Sequence, residues 1–342
     1  MKKTILAMAV PALLAAGAAQ ASVNLYDGDG VSVDLSGAAE IQYYKGYSKT
    51  EDSYLRIDDA DLILKTAIEV SDSLDAVAGM GFKYENNFNN GVANATGNVD
   101  NDELWVGFAS ADFGTITFGR QILIIDDAGN QKDYELGTEQ TNFVQYEGAQ
   151  VIKWRFDNGA FYAGAEIDLD SDKTKGVDGT QVIDGVIGGR FESVDARVYF
   201  YDGENLSEDI QSASYVVDAQ GYNFELDYAI NDAFDVALAY GQIEYKDKAA
   251  ASTRQMDVDV FGISGGYQAD EKTSFAVGYD WIDGKGKGGF ANQESTSLYA
   301  NVTYKLQSNA KVYAEVGVAD KEIGGVDQDT DTGYVLGMEV KF

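Results

Sequence analysis

The 342-residue chain has no cysteine, no histidine and a single proline, Pro11. Without cysteine there is no disulfide framework and no thiolate metal site. Without histidine there is no Ser-His-Asp catalysis, no imidazole-bound zinc and no side chain that titrates unperturbed near neutral pH. An enzymatic role is therefore not expected. Positive charge is scarce as well: 25 Lys and Arg face 57 Asp and Glu, a formal net charge of −32. Nucleic acid needs a basic face that displaces counterions, so it is excluded as a partner. Overall hydropathy is polar, against the spans of about 20 apolar residues that a helical membrane protein needs.

The first 21 residues read as a separate object. Lys2 and Lys3 precede an apolar run over 5–19, and Ala19-Gln20-Ala21 is a small-x-small cleavage site. That pattern predicts a secretory signal peptide over 1–21. The run is short for a membrane span, and Pro11 interrupts it. Cleavage would leave one domain, 22–342. Losing Lys2 and Lys3 takes its formal charge from −32 to −34 and leaves it without proline. A chain without proline suits a backbone whose donors are committed to β-ladders.

The rest alternates from end to end. Tyr334, Leu336, Met338, Val340 and Phe342 share one parity; Gly333, Val335, Gly337, Glu339 and Lys341 share the other. Val312, Ala314, Val316 and Val318 oppose Lys311, Tyr313, Glu315 and Gly317 in the same way. Period-two alternation marks strands with one apolar face. The reading gives sixteen strands, near 31–44, 54–70, 74–85, 101–110, 113–121, 150–156, 160–169, 181–191, 194–202, 213–230, 233–245, 255–269, 273–283, 293–307, 310–320 and 330–342. Short Asp/Asn/Ser/Gly turns alternate with long polar connections such as 86–100, 203–212 and 284–292.

An antiparallel up-and-down sheet this long must close or leave exposed edges. Sixteen strands enclose a lumen too wide for side chains to fill. The apolar face must then look outward to lipid and the polar face inward to water. The fold class is all-β: a 16-stranded antiparallel transmembrane barrel. Tyr43, Tyr240, Tyr279, Trp281, Tyr304 and Phe342 near strand ends are candidates for interfacial girdles.

Gly37 in the first strand, the run Phe113-Gly-Thr-Ile-Thr-Phe-Gly-Arg120-Gln121, the signal peptide and the terminal Phe342 together resemble the Gram-negative general diffusion porins. The resemblance covers the whole mature chain. It implies an outer-membrane channel, a homotrimer with a third loop folded into the barrel, and passive diffusion of small hydrophilic solutes. It also implies contact with outer-membrane lipid and lipopolysaccharide, and recognition of Phe342 by the barrel-assembly machinery.

The segment 122–149 is the longest connection, and loops of that length are functional or disordered. Ile122, Leu123, Ile124, Ile125, Tyr134, Leu136, Phe143 and Val144 ask for a wall to pack against, which argues for an inward fold. The loop carries Asp126, Asp127, Asp133, Glu135 and Glu139 against Lys132. By the family resemblance these acids form one side of a constriction. The opposing basic wall is assigned to Arg120, Lys153 and Arg155. Arg120 has lipid-facing parity, so a bulge near Gly119 is needed to turn it inward. Other lumen-lining residues are Glu40, Asp61 and Lys65. Where family members carry a Gly-Lys pair, Ala38 follows Gly37 here. Where they carry an Arg on the second strand, Asp58, Asp59 and Asp61 follow Arg56. A more acidic lumen and a cation preference are expected.

Asp327-Gln-Asp329-Thr-Asp331 and Asp168-Leu-Asp170-Ser-Asp172 have the spacing of oxygen ligands. Solvated charge is the commoner outcome, with weakly bound Ca²⁺ or Mg²⁺ as the alternative. No metal site or cofactor is assigned. Two other functions remain open: a substrate-specific oligosaccharide channel, and a receptor or adhesive barrel with little conductance.

Overall fold

The computed structural model describes residues 22–84, 99–137, 141–171, 179–249 and 251–342. The signal-peptide segment lies outside them. The strands are β1 (Ser22–Gly28), β2 (Val31–Lys45), β3 (Tyr54–Ser71), β4 (Leu74–Lys83), β5 (Asp100–Ser110) and β6 (Gly114–Ile122). After a long connection come β7 (Glu147–Asp157), β8 (Phe161–Ser171), β9 (Thr180–Phe191), β10 (Val194–Ile210), β11 (Ala213–Asn231) and β12 (Phe234–Asp247). The series ends with β13 (Gln255–Gln268), β14 (Thr273–Lys287), β15 (Gln293–Gln307), β16 (Ala310–Ile323), β17 (Val326–Asp327) and β18 (Gly333–Lys341).

From β2 to β16 each strand pairs antiparallel with its sequence neighbours, and β18 pairs with both β16 and β2. The sheet is therefore closed. β1 does not add a wall position. β18 lies against Ala38 to Lys45 of β2, and β1 lies against Val31 to Ser36 of the same strand. The two run end to end and together make the sixteenth strand, while β17 is a short ladder on β16. At the junction Gly37 and Phe342 exchange both backbone hydrogen bonds, at 2.7 and 3.0 Å. A Cβ on Gly37 would stand 2.5 Å from the Asp61 carbonyl and 2.9 Å from the Phe342 ring, so only glycine fits the seam.

The alternation read from the sequence is the alternation of faces. Phe108, Phe118, Ile187, Val277, Val318 and Leu336 point outward and are 41–54% exposed. A ring of apolar side chains this exposed is stable against lipid and costly against water. Tyr43, Tyr240, Tyr279, Tyr304 and Phe342 belong to the same exposed face.

Some expected loops are strand. β10 runs on to Ile210 and β11 starts at Ala213, so the connection expected over 203–212 shrinks to two residues. β14 likewise continues to Lys287. These ends are mostly polar and turn no apolar row to lipid; ladder hydrogen bonds carry them, and on β10 Leu206 and Ile210 add to the large buried cluster. β1 was not expected as a strand, for its Asn24 and Asp27 hide the pattern.

The largest buried cluster is not between layers of sheet. It lies between the long connection and the inner wall, where Leu123, Ile124, Ile125 and Phe143 pack on Val182, Tyr199, Tyr201, Ile243 and their neighbours.

Candidate pore constriction

The connection between β6 and β7 (123–146, here L3) crosses the lumen. Its root is a short 3-10 turn, Ile124–Asp127, packed on the inner face of β8, β9 and β10. Its tip carries Leu136, which is fully buried with Tyr299, Tyr313 and Val335 on β15, β16 and β18. Burial at both ends explains the apolar content of a loop surrounded by water.

Three wall glutamates hold its backbone. Glu166 on β8 accepts the Ile124 N–H. Glu225 on β11 accepts the Gly129 N–H at 2.5 Å. Glu315 on β16 accepts three: Tyr134 at 2.7 Å, and Glu135 and Leu136 at 2.8 Å each. Hydrogen bonds to an ionised acceptor are about twice as strong as neutral ones. Side chains add to this cradle. Asn301 donates to the Lys132 carbonyl at 2.7 Å, and the Tyr299 hydroxyl accepts the Lys132 N–H at 3.0 Å. The Tyr199 hydroxyl donates to the Asp127 carbonyl at 3.0 Å.

Ion pairs tie the loop's own charges to the wall at three places. Asp127 meets Arg155 of β7 at 2.6 Å. Lys132 pairs with Asp235 of β12, and Glu135 with Arg56 of β3. Asp133 accepts the Gly137 N–H at 2.9 Å within the loop. Protein crowds Asp133 on most sides, and Glu315 lies close by, so its carboxyl is pushed up to about 6. Asp126 faces lumenal water but is hemmed in by the root, and that desolvation, with Asp127 next, also raises it to about 6. The arrangement is a charged, water-filled passage narrowed by a strapped loop. Among the described residues, no group of three or more acidic side chains is placed to hold a metal ion. Asp329 and Asp331 instead face Lys49 and Lys45, and Asp172 lies outside the described residues.

Residues 6–324 match the Gram-negative porin family. The chain belongs to that family. It is 43% identical to Porin-like protein H of Photobacterium profundum over the full length of both. In fold it is similar to OmpT of Vibrio cholerae in its trimer form, with a TM-score of 0.72 and 17% identity over 92% of this chain and 100% of that one. It is also similar to the anion-selective porin of Comamonas acidovorans, with a TM-score of 0.70 and 14% identity over 91% and 100% of the two chains. This protein is thus an outer-membrane porin of the general-diffusion type, and its family and fold are those of non-enzymatic channels.

The porin gathers most of the expected site residues around one lumenal recess of about 530 Å³. Asp61, Lys65, Asp126, Asp127, Lys153 and Arg155 line it. Glu135 and Asp133 sit at the L3 tip, outside that lining, with Glu135 on Arg56 of β3. Glu40 lies beneath that tip and accepts the Tyr313 hydroxyl. Glu139 lies outside the described residues.

Arg120 stands apart from this group. A bulge does occur at Gly119, with φ at +135° and a register shift before Gln121. Arg120 nevertheless stays opposite the outward-facing Leu104. Its guanidinium turns to Glu147 at 2.8 Å and the Asn101 carbonyl at 3.0 Å, with Lys83 close by on the same Glu147.

Sequence reasoning missed the three cradle glutamates and two lumenal arginines. Arg190 stacks on Tyr162 at 4.3 Å. Arg197 reaches Glu225 at 2.6 Å and Asp227 at 2.7 Å. Their lumenal parity was readable; the loop atoms and carboxylates they meet were not.

Proposed function

We propose that this porin conducts ions and small hydrophilic solutes as a homotrimer with a preference for cations. The observation that carries the reading is L3. It is strapped across the lumen by three ion pairs and three wall carboxylates, so it narrows the passage without filling the recess behind it. The acidic excess of the chain supports the cation preference, because carboxylates lining a narrow pore favour cations over anions. The fold does not decide selectivity, since one similar barrel is an anion-selective porin. The trimer reading is supported by the trimer form of the similar Vibrio cholerae protein. Lipopolysaccharide and other outer-membrane lipid would bathe the outward face, and Phe342 would be the segment read by the assembly machinery.

The lumenal aromatics argue against an oligosaccharide channel. Tyr299 holds L3, and Tyr313 holds Glu40 and stacks on Tyr134 at 3.5 Å; neither offers a free face in a continuous track.

The test is single-channel recording of the mature protein in planar bilayers under a KCl gradient. Ohmic steps that close in thirds, with a reversal potential on the cation side, are expected. A folded barrel without conductance would overturn the reading in favour of a receptor or adhesive role.

A further inference from the structure

Like charges directly opposite each other on neighbouring strands repel and destabilise the pair. Beneath the L3 tip this barrel accepts that cost twice in one row. Glu339 of β18 stands opposite Glu40 of β2, and Glu40 stands opposite Asp59 of β3. Two residues nearer the short-turn end, Asp61 faces Ala38 and takes its N–H at 2.6 Å.

A bulge makes the crowding possible. Ile41 pairs with Ile57, yet Glu40 pairs with Asp59, so Asp58 is the extra residue. A bulge re-aims side chains, and here two consecutive aspartates keep to the lumen. Asp58 turns to Arg56 at 3.0 Å. Lys311 and Lys341 bind Glu339, at 2.8 and 3.0 Å, and Lys83, opposite Asp61 on β4, reaches Asp102 at 3.5 Å and Glu147 at 3.4 Å. Among the described residues no cation meets Asp59 or Asp61. The loop acids Asp127 and Glu135, by contrast, each have a cation of their own.

An acid paired with a base presents a dipole to a passing ion, and an unpaired one presents a full charge. A full charge acts across a Debye length of about 8 Å at physiological salt. In water at about 6 Å it changes the local ion concentration roughly threefold.

We propose that Asp59 and Asp61 are the residues that set the ion preference of this channel, and that the ion-paired acids of L3 contribute little to it. This rests on the reading of the chain as an open, cation-preferring channel.

The test uses the mature protein in planar bilayers at low salt. The Asp59→Asn/Asp61→Asn double variant keeps the shape of both side chains and the Asp61 acceptor for Ala38. It should lower the K⁺/Cl⁻ permeability ratio about threefold or more. Neutralising a loop pair together, Asp127→Asn with Arg155→Gln, should leave the ratio nearly unchanged. The chain has no cysteine, so an Asp59→Cys variant is a clean second probe. A cationic thiol reagent should drive its reversal potential toward the anion side, and an anionic reagent should restore it. A cation-preferring wild type unmoved by the double variant and by both reagents would overturn the inference. A wild type without cation preference, whose Asp59→Cys variant still answers the reagents, would overturn the selectivity reading and leave the placement standing.

Discussion

Glu315 is the residue on which the tip of L3 depends most. Its Oε1 accepts the N–H groups of Glu135 and Leu136, and its Oε2 accepts that of Tyr134 and, at 3.0 Å, the Asn301 amide. Glu315→Ala removes the acceptor for three backbone donors at once. The released donors can reach lumenal water, so the low end of about 1 kcal/mol per bond applies. Three bonds make about 3 kcal/mol, which moves the docked-to-released equilibrium roughly 150-fold, at tenfold per 1.4 kcal/mol. Glu315→Gln is milder. One oxygen can still serve Glu135 and Leu136, but an amide NH₂ then faces the Tyr134 N–H, donor against donor. Single-channel recording should show brief current steps as the tip leaves the wall, rare in wild type, more frequent in the glutamine variant and dominant in the alanine variant. The barrel ladder is untouched, so the yield of folded barrel should hold. Alanine-variant traces with wild-type noise and step frequency would refute the view that this carboxylate latches the loop.

Three further outcomes follow from the same geometry. Asp126 and Asp133 hold their protons more tightly in the folded channel than in a free chain, with carboxyls near 6. Lowering the pH from 7 to 5 should therefore neutralise both, a range in which ordinary aspartates stay ionised; in the Asp59→Asn/Asp61→Asn variant, reversal potentials at fixed KCl gradient should show this as a small remaining shift toward anions. Arg155→Gln leaves Asp127 without its cation and should raise the K⁺/Cl⁻ ratio, and an unchanged or lower ratio would count against their pairing. Gly37→Val places side-chain atoms against the Asp61 carbonyl and the Phe342 ring, where overpacking costs about 1–3 kcal/mol. The temperature at which the folded form disappears on unboiled gels should drop accordingly.

The barrel was legible because its solvent writes the pattern: lipid on one face and water on the other force a period of two along every strand. The legibility fails where that contrast ends. The rising ends of β10 and β14 turn no apolar row to lipid, and on β10 Leu206 and Ile210 are buried in the large apolar cluster, so 203–212 and 284–287 read as loop although their backbones pair. L3 was legible as an inward loop from Ile124, Ile125 and Leu136, which need burial. Arg120 shows the limit of motif and parity together. The bulge expected at Gly119 is present, but it does not carry Arg120 into the recess, because Glu147 and the Asn101 carbonyl hold its guanidinium at the strand end. Glu166, Glu225 and Glu315 could be placed on the lumenal face by counting. That they accept loop N–H groups depends on where another segment, far away in sequence, comes to rest.

The lumenal carboxylates divide by what they touch. Glu166, Glu225 and Glu315 meet backbone N–H groups, and Asp127 and Glu135 meet cations. Each of these is held in place by the partner it satisfies, and its charge serves the loop. Asp59 and Asp61 lie on a strand that would fold as well with neutral side chains of the same shape. Strand pairing does not require three carboxylates in register, and it is weakened by them. The wall tolerates that repulsion because Lys311 and Lys341 bind Glu339, Tyr313 donates to Glu40, and the wet lumenal side lets ions in the passage screen the rest. A structural carboxylate is thus compensated by a bond inside the protein, while among the described residues Asp59 and Asp61 meet no cation, Asp61 holding only the Ala38 N–H, and their charge is left to the ions that pass them. On that division, variants of the cradle glutamates should disturb gating first, and variants of Asp59 and Asp61 should disturb selectivity without disturbing gating.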